Sequence, residues 1–148
     1  MVTMERAMNI PFLAAAALSA ATFGLHVVGG GAEFHAPIQA VDMPLPLRTM
    51  SAILWHYVSA MLLLQAAAFG WVARTPNMPL LWFLIAVQLC FAGLFLVYGL
   101  MMLGSIWVLL QWVIFIAIAG LALWGQWSGA RPLPAPDRLV TGQEPRPR

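Results

Sequence analysis

Four long apolar stretches divide the sequence, and each is long enough to cross a lipid bilayer as a helix. A hydrocarbon core of about 30 Å requires roughly 20 apolar residues in helical conformation. The predicted spans are residues 10–28, 50–73, 79–102 and 106–127. The alternating ten-residue runs that a membrane β-barrel requires (about ten residues per strand) are missing from the sequence. The pattern therefore predicts an all-α, four-helix bundle embedded in a membrane.

The segments between the spans predict how the helices are connected. Glycine readily leaves the helical conformation, so the run at 29–31 is expected to end the first span. Residues 103–105 are so few that the third and fourth spans should form an antiparallel hairpin. Residues 29–49 remain as a long outer loop. Its apolar side chains favour a segment packed on the mouth of the bundle over a free loop.

Composition supports the membrane class and excludes several others. Hydrophobic residues make up 62% of the chain and charged residues only 8%. Soluble domains carry about 25% charged residues, so an ordinary soluble enzyme is excluded. The basic residues form no patch outside the C-terminal tail, which disfavours nucleic acid as a partner. The single cysteine, Cys90, excludes a disulfide framework. The partner that the composition indicates is the lipid bilayer.

The distribution of arginines predicts the orientation, because basic side chains concentrate on the cytoplasmic side of membrane proteins. With four spans, Arg48 lies alone on one side. The arginines on the other side are Arg6, Arg74, Arg131, Arg138, Arg146 and Arg148. We therefore expect a bacterial-type inner (plasma) membrane protein with both termini cytoplasmic. Residues 1–9 form the N-terminus, and the Pro- and Arg-rich residues 128–148 form a disordered tail with too few apolar side chains to build a core.

Ionisable side chains gather near the opposite, outer side. His26 lies near the end of the first span, and His56 lies about two turns into the second. Glu33 and His35 lie in the outer loop between them. Ionisable groups in a span usually face the bundle interior or a water-filled cavity, and imidazole suits copper and zinc. The sequence therefore predicts a metal site from these four residues. A haem held between His26 and His56 is the alternative cofactor.

A second interpretation gives the histidines no ligand at all. A histidine near a helix end commonly bonds a carbonyl or water, and the spacing here matches no established metal motif. On this interpretation the protein is a non-catalytic accessory or assembly subunit of a larger membrane complex. Its partner would be another membrane protein or a second copy of the chain. Both interpretations stay open at the level of the sequence.

Enzymatic and transport chemistry find little support in the sequence. Ser59 is the one serine at helical spacing from a histidine, His56, and no carboxylate lies inside a predicted span. No pair of Gly- or Pro-broken spans marks a transport site at mid-membrane. We therefore expect a protein that binds a ligand or a partner and is not an enzyme.

Small residues spaced by four in the first span predict that another helix packs closely there. Ala16, Ala20 and Gly24 form this series, which allows two helix backbones to approach. The expected neighbour is a helix of the same bundle, with a homo-oligomer contact as the alternative.

Overall fold

The computed structural model describes residues 8–129, which are helical except for short connections. The first helix continues without interruption into a wider π-helical segment and a further helical turn. In order, the elements are α1 (Ile10–Leu25), the π segment (His26–His35), α2 (Ala36–Ala40), α3 (Leu45–Arg74), α4 (Met78–Leu103) and α5 (Gln111–Gly129). The all-helical fold is therefore confirmed for the described residues.

Four helical stretches are long and apolar enough to cross a membrane, the first running from Ile10 to Ala40. Within the most apolar 18 residues of each stretch, only 28% of the residues are buried inside the protein. Most of the apolar surface of the bundle therefore faces outward, far beyond what a soluble monomer normally exposes. This surface suits a multi-pass membrane protein, as the hydropathy pattern predicts.

Capping residues define where several of the helices begin and end. The Asn9 side chain accepts a hydrogen bond from the Phe12 N–H at the start of α1, and Asn77 accepts one from Leu80 at the start of α4. Such side-chain caps satisfy N–H groups that have no partner within the helix. At the end of α4, Gly104 adopts a left-handed conformation with φ of 66°, which glycine tolerates best. The chain turns there toward α5.

The bundle is packed around α1, which lies between α3 and α5, while α4 packs mainly against α5. The principal core lies toward the end of the molecule where α1 begins, which we call the Asn9 end. Its buried side chains include Phe12, Phe69, Leu81 and Ile118. The buried small residues of α1 are Ala15, Ala16 and Ser19, whereas Ala20 is exposed. Ala16 of the predicted series is therefore buried, but the buried pair spaced by four is Ala15 and Ser19. Ala15 and Ala16 pack against helices of the same chain.

Asn9 ties three helices together at the Asn9 end. Its backbone N–H donates to the Ala73 carbonyl of α3 at 3.1 Å, and its side-chain Nδ2 donates to the Gly125 carbonyl of α5 at 2.9 Å. Phe12 lies directly over Gly125, where an added Cβ would meet two Phe12 ring carbons at 2.5 Å. Gly125 is therefore the position at which α5 approaches α1 too closely for any side chain.

A pair of glutamines joins α3 to α4, which are otherwise the most sparsely contacting of the neighbouring long helices. Gln65 and Gln88 are 2% and 1% exposed, and the Nε2 of Gln88 donates to the Oε1 of Gln65 at 2.6 Å. The two other buried polar residues in the described chain, Ser19 and Thr22, donate to carbonyls of their own helix. Among the buried polar side chains of the described residues, the two glutamines therefore form the hydrogen bond that joins two different helices.

The structure differs from the sequence prediction at residues 29–49. The predicted outer loop is helical up to Ala40, and the connection to α3 is reduced to residues 41–44. A glycine in a helix costs about 1 kcal/mol relative to alanine. An unpaired peptide group in an apolar environment costs roughly 2–7 kcal/mol. In a membrane the second cost is the larger one, which agrees with a glycine run that stays helical and keeps its hydrogen bonds.

Other boundaries shift by smaller amounts. The second span begins at Leu45, five residues earlier than predicted, with Pro46 in its first turn. The fourth begins at Gln111 instead of residue 106, because residues 104–110 form an irregular connection. The indole N–H of Trp112, in the first turn of α5, donates to the Ile106 carbonyl of this connection at 2.9 Å. The last helix includes Gly129. The predicted tail beyond it, and residues 1–7, lie outside the described residues.

The contact between Phe12 and Gly125 gives a direct test of the packing. We expect Gly125→Ala to destabilise the protein by about 1–3 kcal/mol, because overpacking displaces the Phe12 ring and the Asn9 cap. Thermal unfolding in detergent, followed by circular dichroism, measures the change. Gly120→Ala in the same helix is the matched control, since no atom lies within 4 Å of its added Cβ. Equal unfolding temperatures for the two variants would contradict this account.

Candidate functional site

The three histidines converge at the opposite end of the bundle, which we call the histidine end. His26 is the first residue of the π segment and His35 is the last. His56 lies about three turns into the antiparallel helix α3, directly after Trp55. These four residues, His26, His35, Trp55 and His56, form what we call the histidine–tryptophan cluster.

Stacked rings define the geometry of the cluster. The ring centroids of His26 and Trp55 are 3.9 Å apart with an interplanar angle of 18°, and those of His35 and Trp55 are 5.1 Å apart at 19°. The His35 and His56 rings meet edge to face, with centroids 5.6 Å apart and planes at 65°. Trp55 therefore packs on both histidines of the π segment, and His35 connects the indole to His56.

The winding of the π segment explains why His26 and His35 share a face. In an α-helix of 3.6 residues per turn, nine residues make two and a half turns and place the two side chains on opposite sides. In a π-helix, each N–H bonds the carbonyl five residues earlier, as Ala36 does with Gly31. A turn then takes roughly 4.4 residues, so nine residues complete about two turns. Both imidazoles consequently point toward Trp55 on α3.

Two imidazole nitrogens in the cluster have unused hydrogen-bonding capacity. The Nε2 of His26 and the Nδ1 of His35 are buried and have no hydrogen-bond partner in the structure. Buried polar atoms are normally paired, so such atoms mark places where a ligand, an ion or water is accommodated. His56, in contrast, is exposed. The cluster thus combines half-buried and accessible imidazoles at one end of the bundle.

The structure brings together the three predicted histidines but not Glu33. This glutamate is exposed, and at about 4.4 residues per turn it lies roughly half a turn from His26 and His35 around the π segment. Among residues 8–129, no group of three or more His, Cys, Asp or Glu side chains is arranged to hold a metal ion. The full predicted ligand set therefore stays a prediction. The two predicted ligands whose rings meet directly are His35 and His56, with centroids 5.6 Å apart.

The haem alternative also stays a prediction. It would place a porphyrin between His26 and His56, and the immediate ring neighbour of His26 is the Trp55 indole at 3.9 Å. From the sequence, Trp55 is expected in an interfacial belt or, in the haem alternative, in the lining of the porphyrin pocket, and its stacking on His26 and His35 is what sequence reasoning missed. The available signal was its position directly before His56.

Comparison of the chain with known protein families, with curated proteins and with solved structures gives no match.

Ring stacking in the cluster predicts a specific spectroscopic signature. The chain has three histidines, so an isotope-labelled sample gives three sets of imidazole signals. We expect the His26 and His35 protons to be shielded by the Trp55 indole, and Trp55→Leu to remove this shielding while the His56 signals move least. Solution NMR in detergent micelles measures the shifts. Trp107→Leu, at the same end but remote in sequence from the cluster, is the control. Unchanged His26 and His35 shifts in Trp55→Leu would contradict the stacked geometry.

Proposed function

We propose that this chain is a small multi-pass membrane protein that binds a transition-metal ion, copper or zinc, at the histidine end, with His35 and His56 as protein ligands. The observation that carries the proposal is the 5.6 Å distance between the two imidazole centroids. The two ligands come from different helices, the π segment and α3, so the ion would also bridge these elements.

This distance suits two imidazoles bound to one ion. With nitrogen–metal bonds of about 2.0–2.1 Å, each ring centroid lies roughly 3.2 Å from the metal, and two such rings in tetrahedral or trigonal geometry have centroids about 5–6 Å apart. The unpartnered Nδ1 of His35 supports a role in coordination, since it has no competing bond in the structure. The proposal requires small changes of side-chain rotamer that bring one nitrogen of each ring to a common point.

Two protein ligands leave coordination positions open. Water can occupy them, or a side chain of a neighbouring protein can. The second arrangement is compatible with the accessory-subunit role, in which the protein presents the ion to a larger membrane complex. That role stays a prediction alongside metal binding. His56 itself lies exposed on the surface of the bundle.

The proposal includes an orientation in a bacterial-type inner membrane. With both termini in the cytoplasm, the exposed Arg74 lies at the cytoplasmic face and the histidine end faces outward. An outward-facing site takes its metal from the exterior.

Cysteine accessibility tests this orientation. In a Cys90→Ser background, we expect Glu33→Cys to react with a membrane-impermeant maleimide in intact spheroplasts, because residue 33 lies at the histidine end. Thr75→Cys, at the Asn9 end, is the matched control and should react only after the membrane is permeabilised. The reverse labelling pattern would show that the orientation is wrong.

Metal binding to purified protein tests the central proposal. We expect copper or zinc to bind the wild-type chain, and His35→Ala and His56→Ala each to lower the affinity by about 100-fold or more, because loss of a ligand costs at least as much as loss of its outer partner. Competition with a chelating dye measures the affinity, and elemental analysis measures the stoichiometry. Glu33→Gln is the matched control and should bind as the wild type does.

Two results would overturn the metal proposal. One is a wild-type protein that binds neither copper nor zinc, and the other is binding that survives both histidine substitutions. A haem absorption band that disappears in His26→Ala and His56→Ala would also contradict it and support the haem alternative.

A further inference from the structure

The π segment is unusual in length and composition. Most π-helical geometry occurs as single-turn bulges within α-helices, often at functional sites. Here it extends over ten residues, three of which are consecutive glycines. Glycine is a poor helix former, so the segment has little intrinsic tendency to hold any one winding. Contacts from outside the segment must therefore select the π winding over the α winding.

Trp55 supplies such contacts along one row of the segment. His26, Gly30 and His35 are separated by four and then five residues, which places them in line when a turn takes roughly 4.4 residues. The Trp55 indole packs on both imidazoles. Between them, an added Cβ at Gly30 would lie 3.0 Å from the Trp55 Cη2 atom and 3.8 Å from its Cζ2 atom. The indole thus lies directly against the backbone at Gly30.

The neighbouring glycines differ from Gly30 in this respect. A Cβ added at Gly29 or Gly31 has nothing within 4 Å. Of the three consecutive glycines, the middle one is therefore the position where the missing side chain makes room for Trp55. This difference separates a specific requirement at residue 30 from a general effect of glycine on the helix.

We infer that Trp55 and Gly30 are positioning residues, which together hold the π winding of residues 26–35 and thereby direct His35 toward His56. In α winding, nine residues turn His35 to the side opposite His26, away from α3. The 5.6 Å approach of His35 to His56 then disappears. The inference rests on the proposed function in one respect: what the positioned pair binds is the transition-metal ion. The positioning itself is a property of the metal-free protein.

The experiment uses the full chain with two separate readouts. NMR of the metal-free protein records the shielding of the His26 and His35 protons by Trp55, and dye competition records the affinity for copper or zinc. We expect Gly30→Ala to reduce the shielding of both histidines and to lower the metal affinity about 10-fold. Gly29→Ala and Gly31→Ala are the matched controls and should leave both readouts as in the wild type.

A rescue variant separates positioning from a general loss of stability. Deletion of Gly29 and Gly31 together leaves seven residues from His26 to the second histidine, which is about two turns and 10 Å of α-helix. Gly30 then lies three residues after His26 and stays in the same row. We expect this variant to adopt α winding there while retaining the shielding of both histidines and the metal affinity to within about threefold.

The outcomes distinguish the inference from the proposed function. Unchanged shielding in Gly30→Ala, or an equal change in Gly29→Ala and Gly31→Ala, would overturn the positioning role. Loss of shielding in the double deletion would overturn it as well. Shielding that depends on Gly30 in a protein that binds no metal would support the positioning role and overturn the metal proposal.

Discussion

The structure depends first on the pairing of peptide groups within the chain. In an apolar surrounding no water is available to hydrogen-bond a free N–H or C=O group, so the backbone satisfies its own groups as helices. Helices over almost all of residues 8–129 are what this constraint requires of a chain that crosses a membrane. The same constraint applies after His26. The run of three glycines, which the sequence predicts to end the first span, continues as a helix of wider winding.

The two ends of the bundle are stabilised differently. At the Asn9 end, large buried side chains and the two hydrogen bonds of Asn9 fix α1 against α3 and α5. Toward the histidine end the core narrows to a small cluster around Leu62, Ala92 and Phe115. No residue of the π segment is buried. The candidate site is therefore built where packing constrains the chain least, and aromatic stacking replaces a dense core in positioning its side chains.

Much of the architecture could be predicted from the sequence, because bilayer thickness and helix geometry together fix the length of an apolar span. The four long helices follow from this relation, and the short segment after the third predicts that the last two pack side by side, although their connection is longer than predicted, at residues 104–110. The continuation of the helix through residues 29–31 could not be predicted in this way. Glycine has a low helix propensity, which favours a break there, whereas unpaired peptide groups in an apolar environment favour a continuous helix, and the second free energy is the larger. Local signals alone do not show which of the two dominates.

The candidate site was predictable in its histidines but not in its arrangement. Grouping Glu33 with His35 relied on proximity in sequence, whereas a position two residues away in a π-helix lies roughly half a turn around the axis. The stacking of Trp55 on both histidines was not predicted, because the row formed by His26, Gly30 and His35 follows a period that sequence patterns of α-helices do not contain. A change of winding rotates every later side chain around the helix axis. A wrong helix type therefore leads to a wrong prediction of which side chains face each other in the site.

The amide pair of Gln65 and Gln88 has a consequence for the assembly of the bundle. Helix α4 is apolar almost all around its circumference, so hydrophobicity alone does not distinguish one of its faces from another. Rotating α4 by one residue, about 100°, would carry Gln88 out of the interface and leave Gln65 without its partner. The 2.6 Å hydrogen bond therefore favours one rotation and one height of α4, in addition to the packing of α4 on α5, and gives a polar identity to one face of a helix that hydropathy leaves without one.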